Sequence, residues 1–172
     1  MDTKAFREGF RDGIPIGLGY LAVSFSLGIS AKQAGLTPLQ GFVTSFLENA
    51  SAGEYIAFTL IGAGATYIEL CLMTIIANAR YLLMSCAMSQ RFSPDTPMIH
   101  RFLVAFDLTD ELFGIAIGRP GYLNPYYSYG AFLVALPGWS IGTAAGVIAG
   151  NLLPGDMVKA CLLYTSDAAD DL

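Results

Sequence analysis

Residues 126–150 read YYSYGAFLVALPGWSIGTAAGVIAG, a stretch without one charged side chain. A helix of about 20 apolar residues is long enough to cross the hydrocarbon core of a bilayer. The whole sequence shares this bias, because 54% of its 172 residues are hydrophobic and only 13% are charged. Soluble domains carry about 25% charged residues. The composition therefore predicts an all-α integral membrane protein.

Five apolar segments follow one another along the chain. They cover residues 14–30, 39–62, 65–88, 102–118 and 126–150. The first and fourth are short and contain polar residues, so we expect them to pack against protein rather than face lipid on all sides. The second is interrupted by Glu48, Asn49, Ser51, Gly53 and Glu54. This interruption predicts a broken or re-entrant helix.

The positions of the basic residues support a re-entrant second segment. If residues 39–62 enter and leave on one face, residues 1–12 and 89–101 lie on the same side of the membrane. Cytoplasmic loops are enriched in Lys and Arg, so that side is predicted to be the cytoplasm, with a cytoplasmic N-terminus. The same count places residues 118–125 outside.

The last twelve residues differ from everything before them. Residues 161–172, CLLYTSDAADDL, resemble the in-frame translation of a transposon-end adapter used in fragment sequencing. The alternative is a polar cytoplasmic terminus. We predict a membrane-embedded transporter domain over residues 1–160, incomplete at its C-terminus, followed by a non-native tail over residues 161–172.

Glycines recur at helical spacing in the first and fifth segments. Gly138, Gly142, Gly146 and Gly150 are each four residues apart, and Gly13 and Gly17 flank Pro15. Residues four apart share a helix face, and small residues there allow two membrane helices to approach closely. We predict that these six glycines pack helices together. The alternative is a sliding surface used in alternating access.

Acidic residues lie within or beside the apolar segments. They are Glu48, Glu54, Glu69, Asp107, Asp110 and Glu111. A carboxylate at the centre of a membrane helix costs about 2.5–3.5 kcal/mol on insertion scales, so such residues are usually functional. On a continuous helix Asp107 and Glu111 share a face, with Asp110 about 60° away. The alternative places these acids at the membrane surface, solvated or capping a helix.

Two polar residues interrupt the third segment, Asn78 and Arg80. Arg80 is expected either to reach the headgroups or to pair with Asp110 or Glu111, because opposite charges in apolar surroundings are seldom left single. The predicted substrate or coupling residues are then Asn78, Arg80, Asp110, Glu111, Glu54 and Glu48.

Several classes of function are disfavoured. His100 is the single histidine, the three cysteines are far apart, and nine basic residues are scattered. We therefore expect no metal, no cofactor and no nucleic-acid partner, and we do not expect an enzyme. An intramembrane aspartyl protease would need a second aspartate on another helix, whereas the other buried acids are glutamates.

The sequence resembles the AzlC family, the large subunits of two-component branched-chain amino acid exporters. The resemblance rests on RDGIPIG at residues 11–17, NARY at 78–81, TDELF at 109–113 and Trp139. It implies export of valine, leucine or isoleucine across the bacterial inner membrane, driven by an ion gradient, with a small AzlD-like membrane subunit. Glu54 stands where the family usually has an amide, which bears on substrate identity.

Our interpretation is a transporter subunit whose site holds a zwitterionic amino acid. Broken-helix ends would receive the carboxylate, an acidic residue would receive the ammonium, and apolar side chains would surround the substrate's side chain. The alternative is a membrane scaffold that does not transport.

Overall fold

The structure is a computed structural model that describes residues 2–150 and 152. These residues form eight α-helices and no strand. The helices are α1 (Thr3–Gln33), α2 (Pro38–Glu48), α3 (Ser51–Gly62), α4 (Tyr67–Ala77), α5 (Arg80–Ser89), α6 (Met98–Phe106), α7 (Asp110–Ile117) and α8 (Pro125–Ala149). The all-α prediction is confirmed for this part of the chain.

The predicted apolar segments map onto these helices, but three of the five are broken. Segments one and five become the continuous helices α1 and α8, which are long and apolar enough to cross a membrane. The bent pair of α4 and α5 adds at most a third crossing. The second segment breaks after Glu48, as predicted, whereas the breaks in the third and fourth segments were not predicted. Five spanning segments are therefore not confirmed.

The chain divides into two compact units, and α1 and α8 contribute to both. The first unit holds α1 up to Leu18 together with Asn78–Pro137. The second holds Gly19–Ala77 together with α8 from Gly138 onward. The first unit thus contains α5, α6 and α7, and the second contains α2, α3 and α4.

In the second unit, α2 and α3 form a helical hairpin. A Cβ added to Gly41, near the start of α2, would lie 3.0 Å from the Val147 side chain near the end of α8. A Cβ added to Gly62, at the end of α3, would lie 3.4 Å from Ala34, just after α1. The start of α2 therefore lies beside the C-terminal end of α8, and the end of α3 lies beside the C-terminal end of α1.

Local chemistry explains where this hairpin starts and turns. Thr37 and Gln40 form a capping box at the start of α2, which has Pro38 in its first turn. Asn49 ends α2 in the left-handed conformation, with φ of 46°, and Asn tolerates that region better than most residues. Ala50 is extended, with φ of −142°, and α3 begins after it. The helix therefore breaks at these two residues.

The position of Glu69 in an apolar segment is explained by its role at the start of α4, where it caps the helix. Its carboxylate accepts hydrogen bonds from the N–H and the hydroxyl of Thr66, each at 2.8 Å. In return, the Glu69 N–H donates to Thr66 Oγ1 at 3.3 Å. This is a capping box, which satisfies N–H groups at a helix start.

In the first unit, α6 and α7 form a second hairpin. His100, near the start of α6, lies 2.6 Å from Tyr129 Oη in the second turn of α8, measured at His100 Nδ1. Arg119, just after α7, forms an ion pair with Glu8 of α1. Both ends of this hairpin therefore lie beside the N-terminal ends of α1 and α8.

The break between α6 and α7 contradicts the prediction that Asp107 and Glu111 share one face of a continuous helix. α6 ends before Asp107, and α7 begins at Asp110 with Thr109 as its N-cap, accepting a hydrogen bond from the Leu112 N–H at 3.3 Å. Asp107 and Glu111 consequently do not share a helix. The prediction was wrong because it assumed a continuous helix through residues 107–109.

The hairpin also corrects the predicted loop positions. Asn124 Nδ2 donates to Asp2 Oδ2 at 2.7 Å, so the 118–125 loop lies at the same end as the chain's start. The Leu123 N–H donates to the Arg91 carbonyl at 2.7 Å, which brings the 89–101 loop to that end as well. The expected opposite placement of residues 118–125 was wrong, because the fourth segment turns back instead of crossing.

Within each unit, α1 and α8 run parallel to each other, and glycines let their backbones come into contact. In the first unit, added Cβ atoms would lie 2.9 Å from Ala131 Cα for Gly13 and 2.8 Å from the Val134 side chain for Gly17. In the second unit, an added Cβ would lie 2.0 Å from Ser24 Oγ for Gly142. These close approaches favour the packing role predicted for the glycines. Gly9 and Gly130, which the sequence analysis did not select, make equally close approaches.

Candidate functional site

A buried hydrogen-bonded cluster lies in the second unit, where the α2–α3 hairpin meets α8. Glu54 stands in the first turn of α3 and is 0% exposed. Trp139 Nε1 donates to its Oε1 at 2.5 Å, and Ser45 Oγ, from α2, donates to its Oε2 at 3.0 Å. One carboxyl group thereby connects α2, α3 and α8.

Two further hydroxyl contacts extend the cluster. Ser45 Oγ lies 2.7 Å from Thr143 Oγ1, and Thr143 Oγ1 lies 3.4 Å from the Trp139 carbonyl oxygen. Ser45 and Thr143 are both 0% exposed. We call Glu54, Ser45, Thr143 and Trp139 the carboxyl cluster. Its hydroxyls can donate or accept, because a rotating O–H fixes neither role.

The surroundings of the cluster are apolar and aromatic. The Trp139 ring meets the Tyr20 ring edge-on, with centroids 5.0 Å apart. Among the described residues of this unit Lys32 is the single basic one, and it packs beside Gly150 at the ends of α1 and α8. That position is about 16 Å along α8 from Trp139, at 1.5 Å per residue. The Glu54 carboxyl is therefore held by hydrogen bonds rather than by a basic side chain of its unit.

The turn of the hairpin exposes the start of α3. Its N-cap, Ala50, has no polar side chain to accept the first N–H groups, and its first residue, Ser51, is exposed. A helix N-terminus carries partial positive charge and unused N–H groups, which suit a carboxylate. Glu48, the last residue of α2, is half-buried on the other side of the turn.

In the first unit, Arg80 and Asp110 form an ion pair at the turn of the α6–α7 hairpin. Arg80 Nη2 lies 2.7 Å from Asp110 Oδ2. The predicted pairing of Arg80 with an acid of this segment is present. Both side chains are about half exposed, at 49% and 45%. Arg80 begins α5 and Asp110 begins α7, so the pair joins two helix starts.

The six predicted site residues are divided between the units. Asn78, Arg80, Asp110 and Glu111 belong to the first, and Glu48 and Glu54 to the second. Asn78 is half-buried just before α5, and its carbonyl accepts from the Tyr81 N–H at 3.0 Å. Glu111 is exposed in the first turn of α7. Each of the six stands at or near a helix break.

Sequence reasoning missed three members of the carboxyl cluster as site residues. Ser45 and Thr143 were not considered, and Trp139 entered only through the family resemblance. Ser45 and Thr143 could have been noticed as hydroxyl residues within apolar segments. Such residues indicate a hydrogen-bonded partner, because buried polar groups are nearly always hydrogen-bonded. The partner of such a residue could not be read from spacing, since 98 positions separate Ser45 from Thr143.

The described residues contain no cluster of three or more His, Cys, Asp or Glu side chains suited to a metal ion. The carboxyl cluster and the ion pair instead offer hydrogen bonds and charge within apolar helices. Polar groups at breaks in membrane helices are the usual means by which transporters hold ions and polar substrates.

Comparisons with known proteins agree with this architecture. The family model described as AzlC protein matches residues 15–153. An uncharacterized membrane protein of Archaeoglobus fulgidus is 29% identical over 167 residues, covering 96% of this chain and 73% of the relative. Inner membrane protein YgaZ of Escherichia coli is 28% identical over 158 residues, covering 89% and 64%.

A third relative is the branched-chain amino acid transport protein AzlC of Bacillus subtilis. It is 27% identical over 150 residues, covering 86% of this chain and 58% of the relative. This chain therefore spans between about half and three quarters of these relatives. No solved structure matches it. Because the family model covers most of the sequence, the chain belongs to the AzlC family of membrane proteins.

Proposed function

We propose that this chain is the large subunit of an exporter of branched-chain or similar hydrophobic amino acids, coupled to an ion gradient. Membership in the AzlC family and the name of the B. subtilis relative support the substrate class. The observation that carries the proposal is the polar, broken α2–α3 hairpin, whose buried carboxyl cluster meets the middle of the apolar helix α8.

The α2–α3 turn has the groups that a zwitterionic amino acid needs. The uncapped start of α3 at Ser51 receives the substrate carboxylate, and Glu48 is the acid of the same turn that receives the ammonium. Phe46 and Leu47, which are 41% and 64% exposed, provide apolar surface next to the turn. The interpretation of the sequence assigned the same three roles to a helix end, an acidic residue and apolar side chains.

The first unit contributes a second polar site to the proposal. The Arg80–Asp110 pair stands at the turn of the α6–α7 hairpin. Asn78 is two residues before Arg80 in the sequence, and Glu111 directly follows Asp110. We propose that these residues serve substrate or ion coupling, because half-exposed charges at a break in apolar helices are costly to keep without use.

The charges suggest the orientation in the membrane. Six basic residues stand at the end where α1 and α8 begin, namely Lys4, Arg7, Arg11, Arg91, Arg101 and Arg119. Lys32 stands at the end of α1. By the positive-inside rule we propose a cytoplasmic N-terminus. The name of the E. coli relative supports a location in the bacterial inner membrane.

We also propose a small AzlD-like membrane partner. In α4 no residue is buried, and Ile68, Leu72 and Ile76 are 73%, 55% and 65% exposed. An apolar helix this exposed is suited to lipid, to further helices or to a partner subunit. The domain limits 1–160 and 161–172 remain predictions, since residues 153–172 lie outside the described part of the chain.

A flux measurement separates a transporter from a scaffold. The protein, produced from its complete reading frame with the small subunit, is reconstituted into liposomes loaded with labelled leucine. We expect saturable efflux that valine and isoleucine inhibit and lysine does not. Efflux equal to that of empty liposomes, from protein that is folded by circular dichroism, would support the scaffold instead.

A further inference from the structure

We infer that Glu54 carries the coupling proton, and that the Ser45–Thr143 hydroxyl chain reverses its direction when Glu54 is protonated. The inference rests on the proposed transport function and names the coupling ion and its carrier. It is drawn from the contacts of the carboxyl cluster, which present hydrogen bonds to Glu54 in both protonation states.

With Glu54 ionised, every contact to its carboxylate is donated. Trp139 Nε1 can only donate, so the bond to Oε1 has one direction. Ser45 Oγ gives its single proton to Oε2 at 3.0 Å, and Thr143 Oγ1 in turn donates to Ser45 at 2.7 Å. Hydrogen bonds donated to a buried carboxylate stabilise its charge.

With Glu54 protonated on Oε2, the chain runs the other way. The new O–H donates to Ser45 Oγ, and Ser45 then donates to Thr143 Oγ1. Thr143 turns its proton toward the Trp139 carbonyl oxygen, 3.4 Å away. The Trp139 bond to Oε1 is kept. One proton has been added and two hydroxyls have rotated, so no polar group of the cluster loses its partner.

Among the described residues of this unit, no basic side chain lies close enough to Glu54 to stabilise its charged form. Lys32, the one basic residue among the described residues of this unit, lies at the far ends of α1 and α8. The titratable residues on the surrounding elements are Glu48 on α2, Tyr55 on α3 and Tyr20 on α1. A buried carboxyl without a cation nearby favours uptake of a proton or of another cation.

The position of Glu54 suits coupling. It fastens the hairpin turn to α8, and the Trp139 bond is weaker when Oε1 belongs to a neutral acid than to a carboxylate. Proton binding therefore loosens the hairpin's attachment next to the proposed substrate groups at Ser51. This links the protonation state to the accessibility of the turn.

Glu54→Gln tests the inference, because its amide accepts from Trp139 and donates to Ser45, as the protonated acid does. In liposomes that contain the complete complex, leucine flux driven by a pH gradient is compared with leucine exchange at equal pH. We expect the ratio of pH-driven flux to exchange to fall at least tenfold. Glu69→Gln, in the exposed capping box of α4, is the matched control and keeps the parental ratio.

Two outcomes are distinguished. If the parental complex shows neither flux, the proposed function fails. If it transports and Glu54→Gln retains the parental ratio, the function stands and the inference is overturned. Thr143→Val covers the case in which Glu54→Gln does not fold, because valine keeps the shape and removes the acceptor of the reversed chain. A parental ratio in Thr143→Val likewise contradicts the reversal.

Trp139 supplies an independent readout, since it is the single tryptophan of this sequence. Its indole N–H contacts Glu54 directly, so its fluorescence should follow the carboxyl's protonation. We expect the parental emission of this chain in detergent to titrate with pH and that of Glu54→Gln to stay constant. The same titration in both proteins would contradict Glu54 as the proton carrier.

Discussion

Trp139 of α8 donates its indole N–H to Glu54 of α3 at 2.5 Å, although 85 positions separate the two residues. Both are buried, and the bond fixes the turn of the α2–α3 hairpin against α8. The Trp139 ring also contacts Tyr20 of α1. One residue therefore combines a polar attachment with apolar packing.

Trp139→Phe separates these two contributions. Phenylalanine keeps a ring against Tyr20 and removes the indole donor, so that Ser45 is the side-chain donor that continues to contact Glu54. Loss of a hydrogen bond to a buried group costs about 1–3 kcal/mol. We expect a lower thermal midpoint in detergent and slower leucine flux. Tyr122→Phe, at a 67% exposed position, is the control. A parental midpoint for Trp139→Phe would show that the bond is not used.

Gly146→Ala tests the contact between α1 and α8. A Cβ at residue 146 would lie 2.0 Å from the Phe25 carbonyl oxygen, which is backbone and cannot rotate away. Overpacking of this kind costs about 1–3 kcal/mol. Gly19→Ala is the control, because nothing lies within 4 Å of its added Cβ. We expect the first to lower the yield of folded protein and the second to maintain or raise it. Equal yields would refute the close packing.

Cysteine labelling tests the two hairpins. In a background without native cysteines, Ser93→Cys and Tyr122→Cys should both be protected from an impermeant thiol reagent in intact cells, and Ala63→Cys, between α3 and α4, should react. The reason is that residues 93 and 122 lie at the end where α1 begins, whereas residue 63 lies where it ends. Reaction at residue 122 with protection at residue 93 would restore the topology that the sequence suggested.

The Arg80–Asp110 pair is expected to matter more for transport than for stability. Both side chains are about half exposed, and exposed ion pairs contribute about 0–1 kcal/mol. Asp110→Asn should therefore leave membrane abundance near the parental level while leucine flux falls. Asp95→Asn, in the exposed loop before α6, serves as control. Parental flux of Asp110→Asn across a range of pH would remove this pair from the mechanism.

Composition was sufficient to predict an all-α membrane protein, and the polar residues at 48–54 predicted the first break. The breaks at Asn78 and at Asp107–Thr109 were not predicted, because each interrupts its apolar stretch for only a few residues. Thr109 caps α7 as a threonine before an acidic first turn often does. A search for such caps inside apolar segments would have found this break.

The functional cluster was harder to predict than the helices. Glu54 was selected because a carboxyl in an apolar segment is costly, but its partners come from α2 and α8, far away in the sequence. Contacts between distant segments depend on tertiary packing, which helical periodicity does not encode. The glycine stripe could be recognised in the sequence, because four-residue spacing is a property of one helix and needs no knowledge of its partner.

Substrate protection at the start of α3 tests the central claim most directly, namely that the α2–α3 turn binds an amino acid. Ser51→Cys, in the complete complex without native cysteines, is exposed to a small thiol reagent with and without leucine. We predict that saturating leucine slows modification of residue 51 at least fivefold, that lysine does not, and that a cysteine at Ser93 reacts at one rate throughout. Equal modification rates at residue 51 with and without leucine, in a complex that transports leucine, would contradict the claim.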